Sequence, residues 1–176
     1  MISLKRSMAP VGSADARLLI LGSLPGEASL AAQRYYAHPT NQFWRLLGAA
    51  IGEELAGLDY DSRLERLAAR EIALWDVVAE ARRRGSLDGA IRAATANELA
   101  NYVATHPRLE AVAFNGKTAA AIGRRALGQR RGLTFFELPS SSAALTRPFA
   151  EKASAWKAIG VIIGVAPRAE KATLGS

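Results

Sequence analysis

The chain has 176 residues, 23 Lys and Arg against 16 Asp and Glu, two histidines and no cysteine, for a net charge of +7. That length suits one domain, expected over residues 1–165, with a flexible tail over 166–176. Hydrophobic residues make up 49% of the chain, enough to bury a core, so a disordered polymer is excluded. The missing cysteines exclude disulfides, thiolate zinc sites, iron–sulfur clusters and a cysteine nucleophile. No apolar run reaches the 18–20 residues of a membrane span, and Met1–Ser7 lacks the apolar stretch of a signal peptide. A cytoplasmic protein with no cofactor, no metal and no membrane partner is expected.

The first predicted strand is Arg17–Gly22, an unbroken apolar run of the kind buried on both faces. It ends in Gly22-Ser23-Leu24-Pro25-Gly26-Glu27, a tight turn with open backbone N–H groups. Such a turn can hold an anion, a water or a polar ring edge, and it can equally be a plain turn. Its glycines do not fit the dinucleotide fingerprint G-x-G-x-x-G. Next comes Tyr35-Tyr36-Ala37-His38-Pro39-Thr40-Asn41-Gln42-Phe43-Trp44. Pro39 keeps His38 out of helical geometry, and Asn41 can cap a helix over residues 41–51. Phe43 and Trp44 read as core residues of that helix. Tyr35 and Tyr36, in the loop before it, can stack on a planar base.

A second helix is predicted over Asp61–Arg70, and a second strand over Ile72–Val77. A helix over Asn97–Thr105, capped by Asn97, precedes the third strand, Leu109–Phe114. Asn115-Gly116-Lys117-Thr118 follows. It is not a phosphate-binding P-loop, because that motif needs glycine where this chain has Ala111. Asn115 offers a donor and an acceptor side by side, the pattern of a nucleobase edge, though Asn-Gly is also an ordinary turn. A helix over Gly116–Leu127 leads to the fourth strand, Leu133–Leu138. The loop Pro139-Ser140-Ser141-Ser142-Ala143-Ala144-Leu145 then offers hydroxyls for phosphates and small apolar groups for a base stack. The last helix is predicted over Phe149–Ile163.

Strands alternating with helices predict a three-layer α/β/α sandwich around a mainly parallel four-stranded sheet. In such sheets ligands bind beyond the carboxyl ends of the strands. The positive charge is clustered at Arg82-Arg83-Arg84, Arg124-Arg125 and Arg130-Arg131, which favours a polyanionic partner such as nucleic acid.

These four strand-end segments, in this order, resemble the uracil-DNA glycosylase superfamily. Tyr36-Ala37-His38-Pro39-Thr40-Asn41-Gln42-Phe43-Trp44 is similar to the aromatic-Ala-His-Pro-x-Asn-Arg-Phe-Trp block of the mismatch-specific branch. Gly22-Ser23-Leu24-Pro25-Gly26 together with Tyr35-Tyr36-Ala37-His38-Pro39 looks closest to the hypoxanthine-DNA glycosylase branch. The resemblance implies a monofunctional DNA glycosylase of base excision repair that flips out hypoxanthine or uracil and hydrolyses its N-glycosidic bond; a nucleoid-associated protein, by default a monomer, is expected. It assigns catalysis to Asn41, Ser23 and His38, base binding to Gly22, Leu24, Tyr36, Phe43 and Asn115, and DNA binding to Lys117, Ser140, Ser141, Ser142, Ala143 and Ala144. One departure stands out: Leu24 lies where the mismatch-specific branch carries the Asn that positions water, and Asn41 matches the Asn that serves catalysis in the hypoxanthine branch. Two other classes remain open on the residues: a non-catalytic DNA or nucleotide binder, and a hydrolase pairing Ser23 with His38.

Overall fold

A computed structural model of the chain describes residues 1–165, so the tail expected over 166–176 lies outside the described residues. In chain order the elements are β1 (Ser3–Arg6), β2 (Val11–Gly12), β3 (Leu18–Gly22), α1 (Glu27–Ala32), α2 (Phe43–Ile51), α3 (Tyr60–Ala69), β4 (Ile72–Asp76), β5 (Val78–Arg83), β6 (Arg92–Ala96), α4 (Leu99–Thr105), β7 (Ala111–Asn115), α5 (Lys117–Leu127), β8 (Thr134–Leu138) and α6 (Phe149–Trp156). Short 3₁₀ turns cover Asp88–Ala90 and Lys157–Ile163.

The four predicted strands form the parallel sheet, in the order β4-β3-β7-β8. β3 is buried along its whole length, because its two faces feed two separate cores. Leu18 and Ile20 pack with Phe43, Leu46, Leu47 and Trp156 of α2 and α6. Leu19 and Leu21 point the other way and pack with Leu99, Ala119 and Ala120 of α4 and α5. Strand side chains alternate with period two, so one run of four aliphatic residues supplies both layers. No helix among the described residues is long and apolar enough to cross a membrane.

Four parts depart from the sequence reading. The segment before the first predicted strand is structured: β2 adds a fifth, antiparallel strand beside β4. β1, β5 and β6 form a second, three-stranded antiparallel sheet. The second predicted strand thus runs on past Val77 into β5, and β6 is exposed at all five residues, so it carries no apolar alternation to reveal it. Asn97 does not cap α4, which begins at Leu99. Its Nδ2 instead donates to the carbonyls of Asp76 (2.8 Å) and Val78 (3.2 Å), bracing the bend between β4 and β5. The last helix changes to 3₁₀ at Lys157, where Gly160 and the β-branched Val161-Ile162-Ile163 weaken α-helical propensity.

Helix α5 lies unusually close to the sheet at Gly123. A Cβ built there would stand 2.2 Å from the Phe114 ring and 3.1 Å from a Val77 methyl. Gly123→Ala is therefore expected to destabilise by about 1–3 kcal/mol, the usual cost of overpacking, despite the better helix propensity of alanine. A urea titration that showed equal or greater stability would refute this reading of the contact.

Candidate functional site

The carboxyl ends of β3, β4, β7 and β8 open into one cleft of about 960 Å³. Every site residue read from the sequence lines it except Phe43.

The turn after β3 is held by its carbonyls. Gly22 O and Ser23 O accept from the amides of Val77 (2.8 Å) and Val78 (3.0 Å). Leu24 O and Pro25 O accept from the guanidinium of the fully buried Arg83, which also donates to Gly85 O. A trans peptide opposes its N–H to its C=O, so the amides of Ser23 and Leu24 are turned away from these partners. Gly22 forms the floor: a Cβ there would meet Asp76 Oδ1 at 2.7 Å and the Tyr36 hydroxyl at 2.9 Å. Ser23 Oγ donates to Asp88 Oδ1 at 2.5 Å, not to His38, so the hydrolase pairing read as an alternative is not formed.

Tyr36 adopts a left-handed backbone (φ 55°), a conformation a bulky residue holds only when its surroundings enforce it. Its ring stacks on Phe43 at 3.7 Å between centroids and 9° between planes. Phe43 has no exposed surface and meets Trp44 and Trp156 edge-on, so it backs Tyr36 and does not itself touch a ligand. This corrects its assignment to base binding. Tyr35 is core as well, 3% exposed with its hydroxyl donating to Ala9 O. The Tyr36 hydroxyl is buried without a hydrogen-bond partner, and burial beside Asp76 raises its pKa above the ordinary tyrosine value. An orphaned hydroxyl at a cleft floor marks a place where a ligand's polar edge would recover a bond.

Asp76, at the end of β4, is buried and pushed up to about 7, against an ordinary value of 3.8, mainly by desolvation. The Ser7 hydroxyl, donating to its Oδ2 at 2.9 Å, and the Arg83 charge partly oppose that rise. Between those two pH values the native state holds a proton that the unfolded chain has lost. Stability therefore falls as pH rises from about 4 to about 7. Asp76→Asn is expected to flatten that fall and raise the melting temperature at pH 8. Calorimetry of both proteins from pH 4 to 8 checks it, and parallel curves would refute it.

His38 is exposed, and its Nδ1 accepts from the Thr40 amide at 3.2 Å. An amide can only donate, so the neutral ring carries its proton on Nε2 and presents a donor. Asn41 Oδ1 accepts from the Phe43 amide at 3.0 Å, one position outside the Gln42 cap that begins α2. Its Nδ2 is left as the polar end for the cleft.

Across the cleft, Asn115 is 7% exposed and spends its carboxamide on one residue. Oδ1 accepts from the Ser141 amide and Nδ2 donates to Ser141 Oγ, both at 2.9 Å. These two bonds let Asn115 set the path of the Ser140–Leu145 loop, while its place in the cleft lining leaves one Nδ2 hydrogen and one Oδ1 lone pair over. Ser141 is buried with it, whereas Ala143 and Ala144 are exposed at the loop tip. The buried Lys152 donates to Gln42 Oε1 (3.0 Å) and Ser142 O (3.1 Å), and Trp156 Nε1 donates to Pro139 O (2.9 Å). Lys117 begins α5 at the cleft rim and is exposed.

The basic clusters divide. Arg124 lies over the Phe114 and Phe135 rings, at the far end of α5 from Lys117, about 10 Å or more along the axis, and Arg130 and Arg131 follow beyond that end. Sequence reading also gave Asp88 no role. Asp88 sits in the Ser86–Gly89 tip of the β5–β6 hairpin, which forms a wall of the cleft. Its only sequence signal is a Gly-Ser-Leu-Asp-Gly turn between two strands, one of which is not legible.

The uracil DNA glycosylase superfamily model matches residues 9–160. The chain belongs to the uracil-DNA glycosylase superfamily. Membership makes DNA the substrate class and a DNA glycosylase of repair the coarse activity. A protein named hypoxanthine DNA glycosylase from Methanosarcina barkeri is 39% identical over 154 residues, covering 86% of this chain and 95% of its own. A second of that name, from Methanosarcina acetivorans, is 37% identical over 156 residues, covering 89% and 98%. The solution NMR structure of a candidate uracil DNA glycosylase from Methanosarcina acetivorans superposes with a TM-score of 0.81 at 36% identity, covering 92% of this chain and 99% of that one.

Proposed function

We propose that the protein is a monofunctional DNA glycosylase that excises hypoxanthine from deoxyinosine by hydrolysis. The observation that carries this is the convergence of Tyr36, Asn41, the Ser23–Leu24 turn and the Ser140–Leu145 loop on one cleft at the strand ends. The relatives named hypoxanthine DNA glycosylase support the choice of base.

Duplex DNA hides the glycosidic bond, so the nucleotide must be extruded, at a cost of a few kcal/mol that is least for a mispaired base. Hypoxanthine arises by deamination of adenine opposite thymine, and so begins as a mispair. The flipped base enters against Tyr36, whose other ring face is fixed by Phe43. The amides of Ser23 and Leu24 receive charge that develops on the leaving base. His38 offers its Nε2–H to that base or to a flanking phosphate. Asn41 holds the attacking water or the sugar near C1′. Ser140 and Ser142 meet the backbone, Ala143 and Ala144 enter the vacated stack, and Lys117 adds salt-sensitive contact. Strand cleavage would need an amine at C1′; in this scheme Lys117, at the cleft rim, meets phosphate instead, so the product is an intact abasic strand.

The test is a cleavage panel with oligonucleotides carrying one deoxyinosine, deoxyuridine or deoxyxanthosine, single-stranded and opposite each base, followed by alkali. Release chiefly from deoxyinosine is expected. Release chiefly from deoxyuridine would move the specificity to uracil. No release, with salt-sensitive DNA binding intact, would leave a binder.

A further inference from the structure

We infer that Asp88 is the general base that takes the proton of the attacking water, an inference that rests on the glycosylase reading above. Hydrolysis of a nucleoside breaks the C1′–N bond, with the electron pair departing on the base. Water oxygen then bonds to C1′ and its proton must go to an acceptor. The leaving base regains a proton from a donor or from solvent. A carboxylate near C1′ both accepts that proton and stabilises the cationic sugar.

Among the described residues three carboxylates line the cleft: Asp76, Asp88 and Glu137. Asp76 is 3% exposed and held down in the floor, with one oxygen tied to Ser7 and the other close under Gly22. Glu137 is an exposed side chain on the edge strand β8. Glu27, in the motif turn, is drawn to Lys5 at 3.2 Å. Asp88 alone is part-buried and oriented. Ser23 Oγ holds one of its oxygens at 2.5 Å, in the turn whose amides face the leaving base.

The hairpin that delivers Asp88 is clamped at three points. Arg83 grips the Leu24 and Pro25 carbonyls, Ser86 Oγ accepts from the Glu27 amide at 2.9 Å, and Ser23 holds Asp88 itself. A loop tip fixed so firmly to the catalytic turn serves precision in placing its carboxylate, not flexibility. The charged and titratable groups facing Asp88 are Arg83 on β5, Asp76 at the end of β4 and Tyr36 on the loop before α2. Only Arg83 carries positive charge among these, and its guanidinium is committed to the Gly85, Leu24 and Pro25 carbonyls, so it acts on Asp88 as a neighbouring charge and not as a tight ion pair.

The experiment measures single-turnover release from a deoxyinosine duplex, binding to a duplex with a non-cleavable abasic analogue, and thermal melting. It compares the wild type with Asp88→Asn, Asp88→Ala and Ser23→Ala. Loss of a general base lowers the rate about 10²–10⁴-fold, so that fall is expected for both Asp88 variants, with binding within about threefold. Sodium formate should restore at least about tenfold of the Asp88→Ala rate and leave the wild type unchanged, because a small carboxylate can occupy the gap. Ser23→Ala keeps the carboxylate but frees it, and should lose about tenfold. An Asp88→Asn rate within about threefold of wild type would overturn the inference, as would a loss mirrored in binding or melting without formate rescue, which would make Asp88 a latch for the hairpin. A wild type that releases none of the deaminated bases would overturn the glycosylase reading itself, and Asp88 with it.

Discussion

Asn41→Ala is expected to reduce single-turnover release of hypoxanthine by about 10²–10³-fold, the cost of removing one preorganised polar group from a transition state. The structure makes this a question with two separable parts. Asn41 Oδ1 is engaged by the Phe43 amide, so the side chain caps α2 from one position outside its first turn. Truncation should therefore also cost about 1 kcal/mol of stability. The same bond fixes which end of the carboxamide remains for the cleft, namely Nδ2. Asn41→Asp separates the two roles. It keeps an acceptor for the Phe43 amide, and a negative charge at a helix start is favourable, so stability should hold or rise. It replaces the donor by an oxygen. If Asn41 works as a donor, the aspartate remains at least about tenfold impaired. If the aspartate equals or exceeds wild type, Asn41 works through its oxygen, as a holder of water. Chemical denaturation and single-turnover kinetics on the same three proteins decide between these outcomes.

The parallel sheet was legible because its strands carry their own signature. Leu18-Leu19-Ile20-Leu21 and Ala111-Val112-Ala113-Phe114 are buried on both faces, and continuous apolar runs of that length have few other uses. The cleft was legible for the same reason one step on: the residues just past those runs must sit together at one edge of the sheet. What each residue does there was less readable. Asn115 has the atoms to read a base, and nothing local says that Ser141, 26 positions away, will take both of them. Phe43 falls in a motif-rich stretch, yet its helical position turns it beneath Tyr36. The second sheet was invisible because β6, Arg92-Ala-Ala-Thr-Ala96, is exposed throughout and its composition suits a helix as well as a strand.

The same hidden sheet changes the meaning of the arginine triplet, and with it the largest stability effect expected. As a sequence, Arg82-Arg83-Arg84 is a basic cluster fit for phosphate. As a strand, β5 alternates, and Arg83 falls on the buried face with no exposed surface while Arg82 and Arg84 stay in water. Its guanidinium is committed to the carbonyls of Leu24, Pro25 and Gly85. Burial lowers its pKa below the ordinary arginine value, while Asp88, Glu27 and Asp76 favour its charge. Arg83→Met keeps much of the volume and removes all three donors at once. Two of the orphaned carbonyls belong to the turn that presents the Ser23 and Leu24 amides. The change is expected to cost about 3–5 kcal/mol, as when one partner of a buried charge network is deleted. It also takes away the cation that helps keep Asp88 and Asp76 ionised, so both carboxyls should rise further. Any surviving activity should then need a higher pH than the wild type. Arg82→Met, on the wet face of the strand, and Arg84→Met, exposed just past its end, should leave stability within about 0.5 kcal/mol and weaken only salt-sensitive DNA binding. Equal denaturation midpoints for all three variants would mean that the triplet is a phosphate grip after all.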